Sequence, residues 1–252
     1  MNVFGPAAFD LGGRRALVTG GAEGLGAAIA AALAAAGAEV GIIDVRPSDA
    51  TAPGNKPAFA LQADLSQPEA VRSAADRALR RFDGRIDVLV NNAGHQFRAA
   101  AVDHGRAEWE ATLSLNLTAA FLLSQHIAPG MIERGRGKII NLASIRSFVG
   151  SYGAVAYGVS KGGIAQLTRS LCNEWAPFGV QVNAIAPGFM RTALTDALQR
   201  DDDAVARSLS RIPAGRWGEA ADVQGLAVFL ASSASDYVNG AIIPCDGGFL
   251  AN

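Results

Sequence analysis

Short apolar runs alternate with amphipathic segments along nearly the whole chain. Runs such as Arg15–Thr19 and Ile86–Asn91 are apolar at successive positions, which predicts strands that are buried on both faces. In Gly24–Ala36, by contrast, leucine and isoleucine recur every four residues and predict a helix that ends before Gly37. Strands that alternate with helices in this way predict an α/β fold with a doubly wound parallel sheet.

The same pattern predicts where each element begins and ends. The predicted strands are Arg15–Thr19, Glu39–Asp44, Ala58–Asp64, Ile86–Asn91, Lys138–Ala143, Gln181–Ile185 and Ala241–Pro244. The predicted helices are Gly24–Ala36, Pro68–Phe82, Arg106–Glu133 with a break at Pro129, Tyr157–Trp175 and Ala220–Ala231. The segment VRPSDATAPGNKP, between Asp44 and Asp64, contains several prolines and no helical pattern, so we expect a loop there instead of a crossover helix.

Length and composition exclude several classes of protein. The chain fits a single domain over residues 1–252, and its net charge of −1 favours neither nucleic acid nor an anionic membrane as a partner. The two cysteines, Cys172 and Cys245, have no spacing typical of metal ligands, so we expect reduced thiols and no metal site. The start of the chain lacks a secretion signal, and the longest uncharged stretch is too short to span a bilayer. We therefore expect a cytoplasmic protein that is not bound to a membrane.

A glycine-rich loop, TGGAEGLG, connects the first predicted strand to the first predicted helix. Glycines let the backbone approach a diphosphate closely, and the helix N-terminus offers free N–H groups to the anion. The candidate cofactor residues in this loop are Gly20, Ala22, Glu23, Gly24, Leu25 and Gly26. An ordinary glycine turn is the alternative, but the order of strand, loop and helix favours a Rossmann fold that binds a dinucleotide.

Acidic side chains near this loop bear on which dinucleotide binds. Asp44 ends the second predicted strand, where a carboxylate accepts hydrogen bonds from the ribose hydroxyls of adenosine and repels a 2′-phosphate. Glu23 adds a second negative charge in the loop. Both residues favour NAD over NADP, whereas Arg46 lies close in sequence and acts in the opposite direction.

Six motifs together resemble the short-chain dehydrogenase/reductase family over nearly the whole chain. They are TGGAEGLG, Asp64-Leu65, Asn91-Asn92-Ala93-Gly94, Ser144, Tyr157-Gly158-Val159-Ser160-Lys161 and Pro187-Gly188. The resemblance implies an oxidoreductase that transfers a hydride between a nicotinamide and a secondary alcohol or ketone. Tyr157 and Lys161 are four residues apart on a predicted helix, so both side chains lie on one face.

These residues predict acid–base chemistry. An ammonium group at Lys161 should favour the phenolate and lower the pKa of Tyr157, which could then give or take the proton of a substrate hydroxyl. Ser144 follows the fifth strand and could hydrogen-bond the substrate oxygen. By resemblance, Lys161 also binds the nicotinamide ribose, and Asn116 binds a water that connects the lysine to solvent.

Further cofactor contacts come from the resemblance alone. It implies that Asp64 and Leu65 contact adenine, and that Asn91 stabilises the sheet and meets the cofactor beside Ala93 and Gly94. It also implies that the nicotinamide is covered by Pro187, Gly188 and Thr192. Finally, it implies a homotetramer, in which Arg106–Glu133 and Tyr157–Trp175 pack against symmetry mates and the apolar tail Ala241–Leu250 forms a second interface.

The C-terminal stretch from Arg211 onward is similar to the gluconate and deoxygluconate dehydrogenases of this family, which implies a sugar-acid or polyol substrate. His95 could line the substrate pocket, and Arg98 or Arg146 could clamp a carboxylate, although surface or intersubunit arginines are equally good interpretations. A reductase of another carbonyl class, such as 3-oxoacyl thioesters or cyclic alcohols, is the alternative. A regulator that binds NAD without chemistry is a third hypothesis.

Overall fold

The computed structural model describes residues 5–46 and 57–252. Its strands are β1 Arg15–Thr19, β2 Glu39–Asp44, β3 Phe59–Gln62, β4 Val88–Asn91, β5 Gly137–Leu142, β6 Val180–Pro187 and β7 Ile242–Cys245. Its α-helices are α1 Gly24–Ala35, α2 Pro68–Arg81, α3 Arg106–Leu113, α4 Ala119–Glu133, α5 Val155–Trp175, α6 Asp196–Gln199, α7 Asp202–Leu209 and α8 Gln224–Ala231. The doubly wound α/β fold predicted from the sequence is confirmed.

The seven strands form a parallel sheet in the order β3-β2-β1-β4-β5-β6-β7. Because β1 pairs with β2 on one side and with β4 on the other, the strand order reverses at β1. In the pairing of β1 with β4, Val18 is opposite Val90. The chain crosses to opposite faces on either side of such a reversal, which leaves a crevice beyond the carboxyl ends of the strands.

Two apolar layers hold the helices against the sheet. On one face, α2, α4 and α5 pack on residues such as Leu17 and Leu89. On the other face, α1 and α8 pack on the alternate residues, including Val18 and Val90. Successive side chains of a strand point to opposite faces, so strands that are covered on both sides are mostly apolar at successive positions. This is the physical reason for the continuous apolar runs in the sequence.

The structure differs from the sequence-based predictions in three places. The predicted break at Pro129 is wrong: α4 continues through this proline, whose face of the helix is exposed. Water can satisfy the carbonyl that the proline leaves without a donor. The irregularity lies instead at Ser114–Thr118, a π-helical turn between α3 and α4. Helices α6 and α7 were not predicted, and most of the predicted loop between Asp44 and Asp64 lies outside the described residues.

Candidate active site

A cavity of about 570 Å³ opens where the strands end. Its wall includes Gly20 after β1, Asp44 at the end of β2, Ala93 after β4, Ser144 after β5 and Gly188 after β6. The parallel sheet brings these positions to one edge, although they are far apart in the chain. The cavity therefore lies at the crevice that the strand order predicts.

The glycine-rich loop forms one wall of the cavity. Gly20 and Gly24 have positive φ angles of 61° and 57°, which favour glycine. A Cβ atom at Gly26 would lie 2.0 Å from the carbonyl oxygen of Gly20, so this glycine allows α1 to begin directly against the loop. Asn92 holds the loop to the end of β4, because its Nδ2 donates to the carbonyl oxygens of Thr19 and Gly20 at 2.9 and 3.0 Å.

Charged side chains meet at the β2 end of the cavity. The carboxylate of Asp44 accepts one hydrogen bond from the backbone N–H of Ala22 at 3.0 Å and another from the backbone N–H of Arg46 at 3.0 Å. The Arg46 guanidinium forms an ion pair with Glu23, with 2.5 Å between Nη2 and Oε1. Its Nε lies 3.6 Å from Oδ1 of Asp44. The loop and the end of β2 are thus joined through Asp44.

The residues that the family resemblance assigns to adenine binding line the cavity, whereas the asparagine that it assigns to the sheet does not. Asp64 and Leu65 follow β3 and line the cavity, and the Asp64 carboxylate accepts from the backbone N–H of Ser66 at 2.9 Å. Asn91 does not line the cavity. Its Nδ2 donates to Asn141 Oδ1 at 2.8 Å and to Ser124 Oγ at 3.0 Å, so its side chain ties β4 to β5 and to α4.

Tyr157, Lys161 and Ser144 lie together at the other end of the cavity. Helix α5 carries the first two, and Nζ of Lys161 is 5.7 Å from the centre of the Tyr157 ring. Only 5% of Lys161 is exposed, and its Nζ donates to the carbonyl oxygen of Leu142 at 2.6 Å. The Ser144 hydroxyl accepts from the backbone N–H of Arg146 at 3.1 Å, so its own proton can be donated to Tyr157 or to a substrate oxygen.

Burial controls the protonation of the Tyr157 and Lys161 pair. Burial raises the pKa of the Tyr157 phenol, and a hydrogen bond with Ser144 and the positive charge of Arg146 oppose this rise only in part. Burial also lowers the pKa of Lys161 from 10.5 to about 8. The prediction that Lys161 lowers the pKa of Tyr157 is therefore wrong, because desolvation of the phenol outweighs the charges around it.

The π-helical turn places Asn116 behind the cavity. The backbone N–H of Ala119 bonds to the carbonyl of Ser114, one residue beyond the α-helical partner. The Asn116 side chain accepts from the backbone N–H of His95 at 2.9 Å and donates to the carbonyl oxygen of His95 at 2.9 Å. Its Nδ2 also donates to Ser160 Oγ at 3.1 Å. Asn116 therefore fixes the backbone of the segment that follows β4.

The ring of His95 is fixed as well. Nε2 lies 3.1 Å from Oγ1 of Thr112, a fully buried residue whose hydroxyl donates to the carbonyl oxygen of Glu108 at 2.7 Å. Because the threonine proton is used in that bond, the threonine oxygen accepts a hydrogen bond from Nε2–H of His95. Burial lowers the pKa of the imidazole, so the neutral form with an unprotonated Nδ1 is favoured.

Two arginines line the same end of the cavity. Arg146 is half-buried: it donates to the carbonyl oxygen of Gly150 at 2.7 Å, and its guanidinium carbon lies 5.9 Å from the centre of the Phe189 ring. Arg98 is exposed, and its Nη2 is 3.5 Å from the carbonyl oxygen of Tyr152. Burial and neighbouring positive charge lower the pKa of Arg146, as expected where cations converge.

Most residues predicted for the site line the cavity. They are Gly20, Glu23, Gly24, Leu25, Asp44, Asp64, Leu65, Ala93, Gly94, His95, Arg98, Ser144, Arg146, Tyr157, Lys161, Pro187, Gly188 and Thr192. Four others lie behind its wall: Ala22, Gly26, Asn91 and Asn116. The sequence-based predictions include Asn92 only as part of a motif, and they do not include an apolar wall made of Phe189, Met190, Leu194 and Leu198. A spacing of four residues from Met190 to Leu198 was the signal that could have revealed this wall.

The donors and acceptors around the cavity fit a dinucleotide. Because position 26 carries no side chain, α1 begins directly against the glycine loop, so the N-terminus of α1 lies where it would bind a diphosphate. Asp44 would hold the adenosine ribose, and Lys161 and Tyr157 would hold the nicotinamide ribose at the opposite end. Among residues 5–46 and 57–252, no group of three acidic, His or Cys side chains could bind a metal ion.

Comparisons with known proteins agree with this geometry. A protein-family model described as enoyl-(acyl carrier protein) reductase matches residues 20–250. The chain is 46% identical to the 2-dehydro-3-deoxy-D-gluconate 5-dehydrogenase of Bacillus subtilis over 97% of each chain. It is 39% identical to the gluconate 5-dehydrogenase of Gluconobacter oxydans, over 96% of this chain and 97% of that protein.

A solved structure is also similar to this chain over nearly its whole length. The crystal structure of a gluconate 5-dehydrogenase from Burkholderia cenocepacia, in complex with NADP and tartrate, matches with a TM-score of 0.90. That protein is 39% identical to this chain, and the match covers 98% of both chains. Within the part of the chain that the structure describes, no helix has the length and apolar character needed to cross a membrane.

Proposed function

Since the chain belongs to the short-chain dehydrogenase/reductase family, we propose that it interconverts a secondary alcohol and a ketone of a sugar acid, with NAD as the hydride carrier and Tyr157 as the acid–base residue. One observation carries this proposal: Tyr157, Ser144 and Lys161 line the same cavity as the glycine-rich loop. A dehydrogenase of this family acts on a CH–OH group. The remaining site residues belong to the same proposal.

Tyr157 transfers the proton. In the direction of reduction, its phenol donates a proton to the carbonyl oxygen of the substrate while a hydride is added to the carbonyl carbon, so that the ketone becomes an alcohol. When bound, the nicotinamide supplies or accepts that hydride. Because the pKa of Tyr157 is raised, the protonated phenol predominates near neutral pH, which favours reduction there and oxidation at alkaline pH.

Ser144 and Lys161 assist this step. The Ser144 hydroxyl donates a hydrogen bond to the substrate oxygen, where negative charge develops. Lys161 is held rigidly by its bond to Leu142, and its charge stabilises the phenolate that remains after proton transfer. Asn116 positions His95 from behind and acts through that residue.

Asp44 and Glu23 support NAD as the cofactor. A carboxylate at the end of β2 favours free ribose hydroxyls and repels a 2′-phosphate. The Burkholderia cenocepacia protein was solved with NADP, so the preference needs a direct comparison of the two cofactors. The role of Tyr157 is the same with either cofactor.

Arg98 and Arg146 support an acidic substrate. Both guanidinium groups line the cavity at the Tyr157 end, and guanidinium binds carboxylate in a bidentate manner. The Bacillus subtilis and Gluconobacter oxydans relatives are named as dehydrogenases of sugar acids. A small-molecule sugar acid is therefore the substrate class that we propose. The homotetramer and the cytoplasmic location stay predictions from the sequence.

A panel assay tests the proposal. The purified protein is assayed with NAD and NADP against sugar acids, neutral polyols, cyclic alcohols and a 3-oxoacyl thioester, in both directions. We expect the highest kcat/KM with a gluconate or deoxygluconate and NAD. Activity confined to neutral alcohols or to the thioester would refute the sugar-acid substrate.

A pair of tyrosine variants tests the chemistry. Tyr157→Phe should reduce kcat at least about 1,000-fold while the cofactor still binds, because only the proton donor is removed. Tyr237→Phe removes the hydroxyl of a fully exposed tyrosine outside the cavity and should behave as wild type. Turnover by Tyr157→Phe near the wild-type rate would contradict the assigned role.

A further inference from the structure

The ion pair at the β2 end of the cavity joins the residue types that would discriminate between NAD and NADP. Arg46 follows Asp44 by two residues, and an arginine at this place in a Rossmann fold can accommodate a 2′-phosphate. In this structure, however, Nη2 of Arg46 contacts Glu23, and its Nε faces Asp44. Carboxylates therefore lie on two sides of the guanidinium.

Glu23 is placed by the glycine loop and precedes the first residue of α1. It reaches Arg46 from the loop side, whereas Asp44 reaches it from the end of β2. The Arg46 and Glu23 side chains are 39% and 53% exposed, so water screens the pair and its strength is modest. A single neutral substitution should be enough to release the guanidinium.

We propose that Glu23 is a specificity-determining residue that acts through Arg46, by holding the guanidinium away from a 2′-phosphate. This inference rests on the proposed NAD preference and assigns its control to a contact in this chain. It differs from simple repulsion between Glu23 and a phosphate, because repulsion would act whether or not Arg46 is present. The free guanidinium would form charge-assisted hydrogen bonds with the 2′-phosphate of NADP.

A double-mutant cycle separates the two explanations. Titration of NADH and NADPH fluorescence, without substrate, gives Kd for wild type, Glu23→Gln, Arg46→Gln and the double variant. We expect Glu23→Gln to shift the ratio of the two Kd values toward NADPH by about tenfold, which corresponds to about 1.4 kcal/mol. In the Arg46→Gln background, the same substitution should shift the ratio by less than about threefold.

Glu39→Gln is the matched control. Glu39 is an exposed carboxylate at the other end of β2, where it pairs with Arg15, and its loss should leave the ratio unchanged. An equal shift from Glu23→Gln in both backgrounds would overturn the role of Arg46, and no shift in either background would overturn the role of Glu23. Because binding is read without turnover, failure of the proposed sugar-acid reaction would not alter these results. A wild-type protein that prefers NADPH would refute the NAD preference separately.

Discussion

Replacing Lys161 by methionine should change how the stability of the protein depends on pH. The pKa of this buried lysine is lowered from 10.5 to about 8 in the folded state. Between these two values the unfolded chain therefore binds more protons than the folded chain. By linkage, the free energy of unfolding rises with pH across this window, and the full penalty for burying the charge is present below pH 8.

The expected change in the free energy of unfolding follows from the shift in the pKa of Lys161. The difference between 10.5 and about 8 corresponds to about 3–4 kcal/mol, at ~1.4 kcal/mol per pKa unit. Lys161→Met removes this penalty but also removes the hydrogen bond to Leu142, which costs about 1–3 kcal/mol at every pH. The two effects nearly cancel at pH 7. At pH 10 most of this penalty has disappeared, so wild type should gain about 2–3 kcal/mol over the variant between pH 7 and pH 10.

Urea denaturation of both proteins at several pH values between 7 and 10 measures this gain. Arg169→Met is the matched control, because it replaces a basic side chain on the exposed face of the same helix by the same residue. Its stability curve should run parallel to that of wild type. Lys161→Met should also lose activity. Lys161 would then be a residue that is needed for activity although its buried charge destabilises the fold.

Parallel curves for wild type and Lys161→Met would refute the reasoning. They would mean that Lys161 has the same pKa in the folded and unfolded states. Its hydrogen bond, or water that reaches Nζ, would then fully replace the solvation lost on burial. If wild type instead became more stable than the variant as the pH falls, the pKa of Lys161 would have to be raised in the folded state, which contradicts the expected direction.

Two further predictions concern groups that support the cavity. Thr112→Val leaves the Nε2–H of His95 without its acceptor, so the free energy of unfolding should fall by about 1–3 kcal/mol, and NMR of the imidazole nitrogens should no longer detect one dominant tautomer; an unchanged spectrum would contradict the assigned hydrogen bond. Gly26→Ala places a Cβ 2.0 Å from the carbonyl oxygen of Gly20 and should destabilise the protein by at least about 2 kcal/mol and weaken NADH binding. Gly225→Ala, a helical glycine with open space around it, should instead be neutral or stabilising by up to about 1 kcal/mol, and similar losses in both variants would contradict this reasoning.

The fold could be predicted from the sequence because each buried strand needs apolar side chains on both of its faces. Val88–Asn91 and Gly137–Leu142 are buried at every position, and their apolar runs were visible without the structure. That Tyr157 and Lys161 lie together could be predicted because they are one helical turn apart. That they share a cavity with the glycine-rich loop could also be predicted, because the loops that follow parallel strands meet at one edge of the sheet.

The remaining features depend on contacts between distant parts of the chain. Asn92 holds the glycine loop through two backbone carbonyls, and no local pattern distinguishes such an asparagine from one in a turn. The π-helical turn at Ser114–Thr118 has no recognised signal in its residues. The pKa of Tyr157 was predicted in the wrong direction because spacing indicates a neighbouring charge but does not indicate how far water is excluded.

The π-helical turn makes the length of this part of the chain as important as its chemistry. Removing one residue from Ser114–Thr118 would restore an ordinary α-helix and rotate everything on one side of the turn by about 100° relative to the other. Asn116 would then face away from the backbone of His95, although every side chain named in the site would still be present. Relatives that keep all the motifs but lack one residue here should therefore be poor models for the substrate end of this cavity.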